Sequence, residues 1–367
     1  MESSQVLSDS VSEKSPREIP VVDFTNWKPD SSFEERMRVA KELVAACRDV
    51  GFVYILNHGI HPERLAEAFA WSEKFFNLSS DEKQKAPHPS GFSVHRGYSS
   101  PGLEKVSQTM SEKEDRELAK KLREITDYKE SYDMGSDENE DQPNVWIPEE
   151  VLPGFRDFMT RFYWECFEVS KNLLRAIALG IDLEDEKYLI KFHSGHNNQL
   201  RLLHYPSLPA ALLEEQIYAR MPSHTDWSTI TFLFQDECGG LEVEDINNQG
   251  HYIPATPIKD AIVMNVGDLL QRWSNDHLRS TFHRVTLPPL ADRYEGSNRM
   301  VRERYSIPFF VAPDPTALIK CLPSCVSEEK PASYLPITQR EYNRLRATTL
   351  YETAANESGS GHEADTE

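Results

Sequence analysis

Residues 222–236, PSHTDWSTITFLFQD, place a histidine two positions before an aspartate at the head of a β-rich run. Alternate residues of an extended strand point to one face, so His224 and Asp226 can both reach a single ion from one short piece of backbone. The pair alone carries little weight. In a chain with 12 histidines and 60 acidic residues, an H-x-D pair arises by chance about once.

A third ligand must come from downstream, where His251, His277 and His283 are the candidates. His251 follows the turn NNQG and reads as hairpin surface. His277 lies in SNDHL, a polar turn where solvation is the default. His283 lies in the alternating run STFHRVTL, where an inward imidazole would enter the interior of a β core. Two histidines and one carboxylate on adjacent strands form a facial set that suits non-haem Fe(II) and leaves coordination positions open. A structural zinc would want a closed four-ligand shell, usually with thiolates, and no cysteine is placed to complete one.

The run RYSIPFF, residues 304–310, adds a second clue. On an extended strand Arg304, Ser306, Pro308 and Phe310 share a face. An inward guanidinium beside a hydroxyl is an expensive buried charge unless a carboxylate meets it in bidentate fashion. A local salt bridge to Glu303 is the plainer explanation, and the metal triad tips the balance toward a carboxylate-bearing cosubstrate.

These residues need a frame. The chain has 367 residues, 39% of them hydrophobic, enough for a substantial core. Its formal charge of -20 opposes binding to nucleic acid or anionic lipid, which leaves a small molecule as the expected partner. Cys47, Cys166, Cys238, Cys321 and Cys325 are scattered, odd in number and without zinc-ribbon spacing, which suits a reducing compartment. No apolar run reaches membrane-spanning length and the N-terminus lacks a signal-peptide core, so a cytosolic location is expected.

Residues 1–18 and 353–367 read as disordered tails around one domain, 19–352. Its first part, 19–150, opens with a short strand in IPVVDF. A helix follows from Phe33 behind a Ser/Glu capping signal, then the strand FVYIL and a second helix from Pro62 to about Leu78. Residues 79–148 are the least legible, and the acid run at 136–141 reads as a solvated loop. The second part, 151–352, starts with a long amphipathic helix, about Leu152 to Leu179. Short β runs follow, LRLLHY, STITFLF, GLEVEDI, HYIPAT, AIVMNV, FHRVTL and RYSIPFFVA, with NNQG as hairpin chemistry. A helical pattern over 337–352 closes the domain. The architecture predicted is helices first, then a mainly β sandwich or jelly-roll core.

With GFVYILNHGI, RGY, RLLHYP, HTD, NVGDLLQRWSND, STFHRV and RYSIPFF in this order, the sequence resembles the Fe(II)/2-oxoglutarate-dependent dioxygenases of the isopenicillin N synthase-like superfamily. The resemblance runs from residue 19 to about 350. It implies a double-stranded β-helix, or distorted jelly roll, with iron on His224, Asp226 and His283. It also implies that Arg304 and Ser306, assisted by Tyr205, hold the distal carboxylate of 2-oxoglutarate. Gln199, Arg201, Leu203 and Tyr205 alternate onto one strand face, which agrees with an inward Tyr205, although a structural hydrogen bond would serve a buried tyrosine equally well. In the family the arginine follows the last histidine more closely than here. The intervening PPLADRYEGSNRMVRE reads as a lengthened hairpin loop, and Arg293 is the rival arginine.

The activity implied is oxidation of a small organic molecule by O2 with release of succinate and CO2, as hydroxylation, desaturation or ring rearrangement, of the kind used in secondary metabolism. Trp227, Phe310 and Arg201 are the candidate substrate residues; an inward Arg201 favours a carboxylate, phenolate or carbonyl on the substrate. The alternatives are an isopenicillin N synthase-type oxidase that needs no 2-oxoglutarate, a pyrimidine-base hydroxylase, and a catalytically silent ligand-binding protein.

Overall fold

The computed structural model describes residues 18–89, 94–103, 125–289 and 291–346. The predicted tails fall outside these residues except for Glu18, as do 347–352 of the closing helical pattern, of which 339–346 are helical.

Three helices form the outer layer. The first, Phe33–Asp49, starts where predicted because the Ser32 hydroxyl accepts from Glu35 N while the Glu35 carboxylate accepts from Ser32 N, a complete capping box. The second spans Pro62–Phe76, with proline in the first turn where its missing N–H costs nothing. The third, Phe155–Gly180, starts three residues later than the apolar pattern suggested, because Gly154 at its head has a φ of 83°, outside helical space. It also ends on a glycine with a purpose: a Cβ on Gly180 would lie 2.4 Å from the Ala40 carbonyl oxygen, so only glycine lets the first and third helices approach this closely.

The helices cover one face of an eight-stranded sheet. Its strand order is Val21–Asp23, Phe52–Leu56, Ile262–Val266, Ile230–Gln235, Arg304–Val311, Gln199–Tyr205, Glu130–Met134 and Gly97–Ser99. Outward residues of these strands, such as Phe232, Phe234, Ile307 and Phe309, join Phe75, Phe155, Phe162 and Leu173 of the helices in the larger core. A four-stranded sheet, Tyr252–Pro254, Leu241–Glu244, His283–Val285 and Met221–His224, faces the other side. Phe52, Leu203, Tyr205 and Val263 from the large sheet meet Met221, Leu241, Val243 and Val285 from the small one in a second core. These two facing sheets are the double-stranded β-helix the sequence implied, flanked by helices.

The segment 79–148 contributes more than its sequence showed. Gly97–Ser99 and Glu130–Met134 extend the large sheet, while most of the acid run is exposed loop. The stretch between His283 and Arg304 does form a hairpin, Tyr294–Glu295 with Met300–Val301, and it adds Leu208–Pro209 as a third strand.

Candidate metal and cosubstrate site

His224 ends the strand Met221–His224, and His283 opens the strand His283–Val285; the two residues are cross-strand partners. Their rings lie 4.2 Å apart between centroids. Asp226 departs from expectation: it sits beyond the strand, in the connection that crosses from the small sheet to Ile230–Gln235 in the large one. Strand alternation therefore does not place it. The crossing is fixed by Asp268 N donating to the Asp226 carbonyl at 2.8 Å and by Thr229 N donating to Val311 O at 2.8 Å. It also packs so tightly on Gly267 that a Cβ there would lie 2.1 Å from Ser228 O.

The three side chains converge. Nε2 of His224 and Nε2 of His283 each lie 3.8 Å from Asp226 Oδ1, and all three ligand atoms fall within 4.8 Å of one another. The other ring nitrogens are committed: Nδ1 of His224 donates to Pro222 O at 2.9 Å and Nδ1 of His283 to Thr281 O at 3.2 Å. That leaves both Nε2 atoms as lone-pair donors aimed at one point. Asn265 Nδ2 donates to Asp226 Oδ2 at 2.8 Å, which turns Oδ1 toward the imidazoles.

Electrostatics keep the set ready for a cation. Burial, and next the charge of His283, push His224 down to about 4, so it is neutral at physiological pH. Burial opposes charge on Asp226, but His283, His224, Asn265 and Thr231 together outweigh it and hold the carboxyl below its usual range. Two imidazoles with Nε2 facing one carboxylate oxygen fit Fe(II) with positions to spare. His251 is exposed, His277 is half-buried, and neither joins the cluster.

The cleft that contains the triad is also lined by Tyr205, Arg304, Ser306 and Phe310, with Phe52, Leu203, Leu233 and Val263 as apolar wall. Arg304, Ser306 and Tyr205 are each 1% exposed. Arg304 Nη1 donates to Ser306 Oγ at 2.8 Å and Nη2 to Gln235 Oε1 at 3.3 Å, while buried Nε has no partner. Its partners are neutral, and Glu303 turns instead to His204 and Tyr305. A buried guanidinium with a spare donor and no ion pair among the described residues is a fitting receptor for a ligand carboxylate. Arg293 lies outside the cleft and pairs with Asp292.

Chain comparison settles the family. A family model described as the 2OG-Fe(II) oxygenase superfamily matches residues 196–313, and one described as non-haem dioxygenase in morphine synthesis N-terminal matches 19–150. A 2-oxoglutarate-Fe(II) type oxidoreductase of Metarhizium rileyi is 37% identical over 341 residues, 92% of each chain. The chain belongs to the 2OG-Fe(II) oxygenase superfamily.

A proline hydroxylase of Petromyces alliaceus is 40% identical, over 91% of this chain and all of the relative. The crystal structure of a full-length Neurospora crassa protein in complex with alpha-KG and thymine superposes with a TM-score of 0.77 at 34% identity, covering 92% of this chain and 97% of that one. This oxygenase therefore uses Fe(II), 2-oxoglutarate and O2 to oxidise a small organic molecule.

Of the three candidate substrate residues, only Phe310 lines the cleft. Trp227 packs beneath the C-terminal helical segment, with Arg346 Cζ 5.4 Å above its ring. Arg201 is held by Asp133 through Nε at 2.6 Å and Nη2 at 2.9 Å, and Gln199 donates to the same carboxylate. Sequence reasoning missed Asp133, Asn265, Thr231 and Arg220. Asn265 lay within the motif NVGDLLQRWSND, whose alternation with the flanking apolar residues was the available signal. Asp133 had none, being 68 residues from Arg201.

Proposed function

We propose that His224, Asp226 and His283 hold the iron, and that Arg304, Ser306 and Tyr205 receive the distal carboxylate of 2-oxoglutarate. One observation carries this reading: the three convergent ligand atoms and an Arg304 guanidinium without an ion pair among the described residues share one cleft. When bound, the iron with 2-oxoglutarate and O2 supplies an oxidant able to break a C–H bond. The chain's own tasks are to hold the cosubstrate by its far end, to aim the substrate C–H, and to keep water out with Phe52, Leu233 and Val263.

The proposed substrate is a small, hydrogen-bonding ring compound without net charge, and the outcome its hydroxylation. Support comes from the thymine held by the Neurospora relative and from the proline hydroxylase among the relatives. It comes also from the Phe310 ring in the cleft and from Asp133, which matches the Arg201 charge and so weakens its appeal to an anion. We infer a cytosolic protein: its five cysteines are free, and no helix among the described residues is long and apolar enough to cross a membrane.

A panel of free nucleobases, imino acids and cyclic dipeptides, scored by substrate-stimulated succinate release and by product mass, tests this. A hit with one oxygen atom gained and one succinate per turnover is the expected result. Oxidation of a hit without succinate would instead reveal a 2-oxoglutarate-independent oxidase.

A further inference from the structure

Arg220 is a second buried cation beside the cosubstrate residues. It is 1% exposed and stands four residues before His224. The Tyr205 ring receives two guanidiniums: Cζ of Arg304 lies 5.1 Å from its centroid and Cζ of Arg220 lies 5.7 Å from it. Arg220 Nη2 donates to the carbonyl of Arg302, two residues before Arg304, at 2.8 Å. Nη1 lies 4.0 Å from Cys238 Sγ, and buried Nε has no partner.

Neither arginine has an ion pair among the described residues. The acid nearby, Asp236, already accepts from Cys238 N at 2.9 Å and Tyr305 N at 2.5 Å, and burial pushes its carboxyl up against the pull of Arg304 and Arg220. Two like charges over one aromatic ring, both desolvated, repel each other and cost stability. The arrangement is relieved when an anion enters beside it.

We propose that Arg220 is a positioning residue of the cosubstrate pocket: it fixes the Tyr205 ring and the backbone leading into Arg304, and its charge helps draw in the dicarboxylate. This rests on the reading that Arg304 receives 2-oxoglutarate. Arg220 acts through Tyr205 and Arg302, and its contribution is a cation–π contact plus one charge-assisted bond to a carbonyl.

The test is anaerobic calorimetric titration of 2-oxoglutarate into the Mn(II)-loaded protein, where no turnover occurs. Arg220→Met should weaken 2-oxoglutarate binding by about tenfold while Mn(II) affinity stays within about twofold. Arg220→Lys keeps the charge but loses the planar fork, so it should fall between the two. In a Tyr205→Leu background, adding Arg220→Met should cost less than about threefold, because one of the two groups it acts through is gone.

Wild-type-like affinity in Arg220→Met overturns the proposal, as do losses that simply multiply with those of Tyr205→Leu. Should Arg220→Met fail to fold, Arg220→Lys decides, and an unchanged Kd there overturns it. Failure of the wild-type protein to bind 2-oxoglutarate would sink the parent reading instead.

Discussion

Replacing Arg304 with methionine separates a cosubstrate receptor from a structural arginine, because a structural role predicts a large loss of stability in the empty protein and a receptor role predicts little change. Arg304 is 1% exposed and its hydrogen-bond partners, Ser306 and Gln235, are neutral. A side chain in a structural ion pair would leave a buried charge behind when cut, at about 3–5 kcal/mol. Here no such charge is orphaned. Relief of the guanidinium's desolvation offsets the two acceptors left without a donor, and the stability of the protein without 2-oxoglutarate should move by no more than about 1 kcal/mol.

Cosubstrate binding should suffer instead. A bidentate carboxylate contact consists of two charge-assisted bonds of about 1.5–3 kcal/mol each. Their loss, about 3–6 kcal/mol together, raises the 2-oxoglutarate Kd by roughly 10²- to 10⁴-fold. Urea unfolding with and without cosubstrate reads both quantities. Wild type at a hundredfold excess over Kd gains about 2.7 kcal/mol, and the variant should lose most of that gain. A variant that binds 2-oxoglutarate within threefold of wild type, or one that loses more than about 3 kcal/mol when empty, would refute the reasoning.

His283→Ala should abolish Fe(II) binding and turnover, whereas His277→Ala, outside the cluster, should leave both within a factor of about two; equal loss would mean that the third ligand was misassigned. Asn265→Ala removes the 2.8 Å bond that orients Asp226 and should weaken Fe(II) affinity by about 10- to 100-fold in a metal titration. His193 is fully buried, donates to Leu189 O at 2.8 Å and meets Thr229 Oγ1 at 2.9 Å, and burial drives it down to about 4. Between that value and about 6.5 the unfolded chain takes a proton that the folded chain refuses. Stability should therefore fall with pH below about 6.5, by roughly 3 kcal/mol at pH 4, and be flat above 7; His193→Gln should lose this part of the slope in unfolding series, and an unchanged slope would contradict the burial argument.

The sequence made legible whatever is written in local periodicity. The helix at Phe33–Asp49, with its capping box, and the seven β runs after Asn198 were readable because each carries its own pattern and punctuation. That His283 would converge with His224 and Asp226 was readable because strand parity pointed it inward. The placement of Asp226 was not, since a strand end looks like a strand interior until its pairing is known.

Cross-strand register was hidden as well. Asp133 and Arg201 are partners only because Glu130–Met134 pairs with Gln199–Tyr205 in one particular alignment, and Arg201 taken alone reads as a free cation. Arg220 escaped notice for a related reason: it precedes its strand, and its contacts with Tyr205 and Arg302 come from distant parts of the chain.

The two histidines belong to the small sheet, whereas Asp226 stands on the crossing to the large sheet and is gripped there by Asn265. An ion at their meeting point would thus staple two layers that also meet through the apolar residues around Tyr205 and Val243. Loading the metal there would stiffen the sandwich as well as arm it. Amide hydrogen exchange in Met221–His224 and His283–Val285 should slow on metal addition far more than in Phe52–Leu56, where the helices already clamp the sheet.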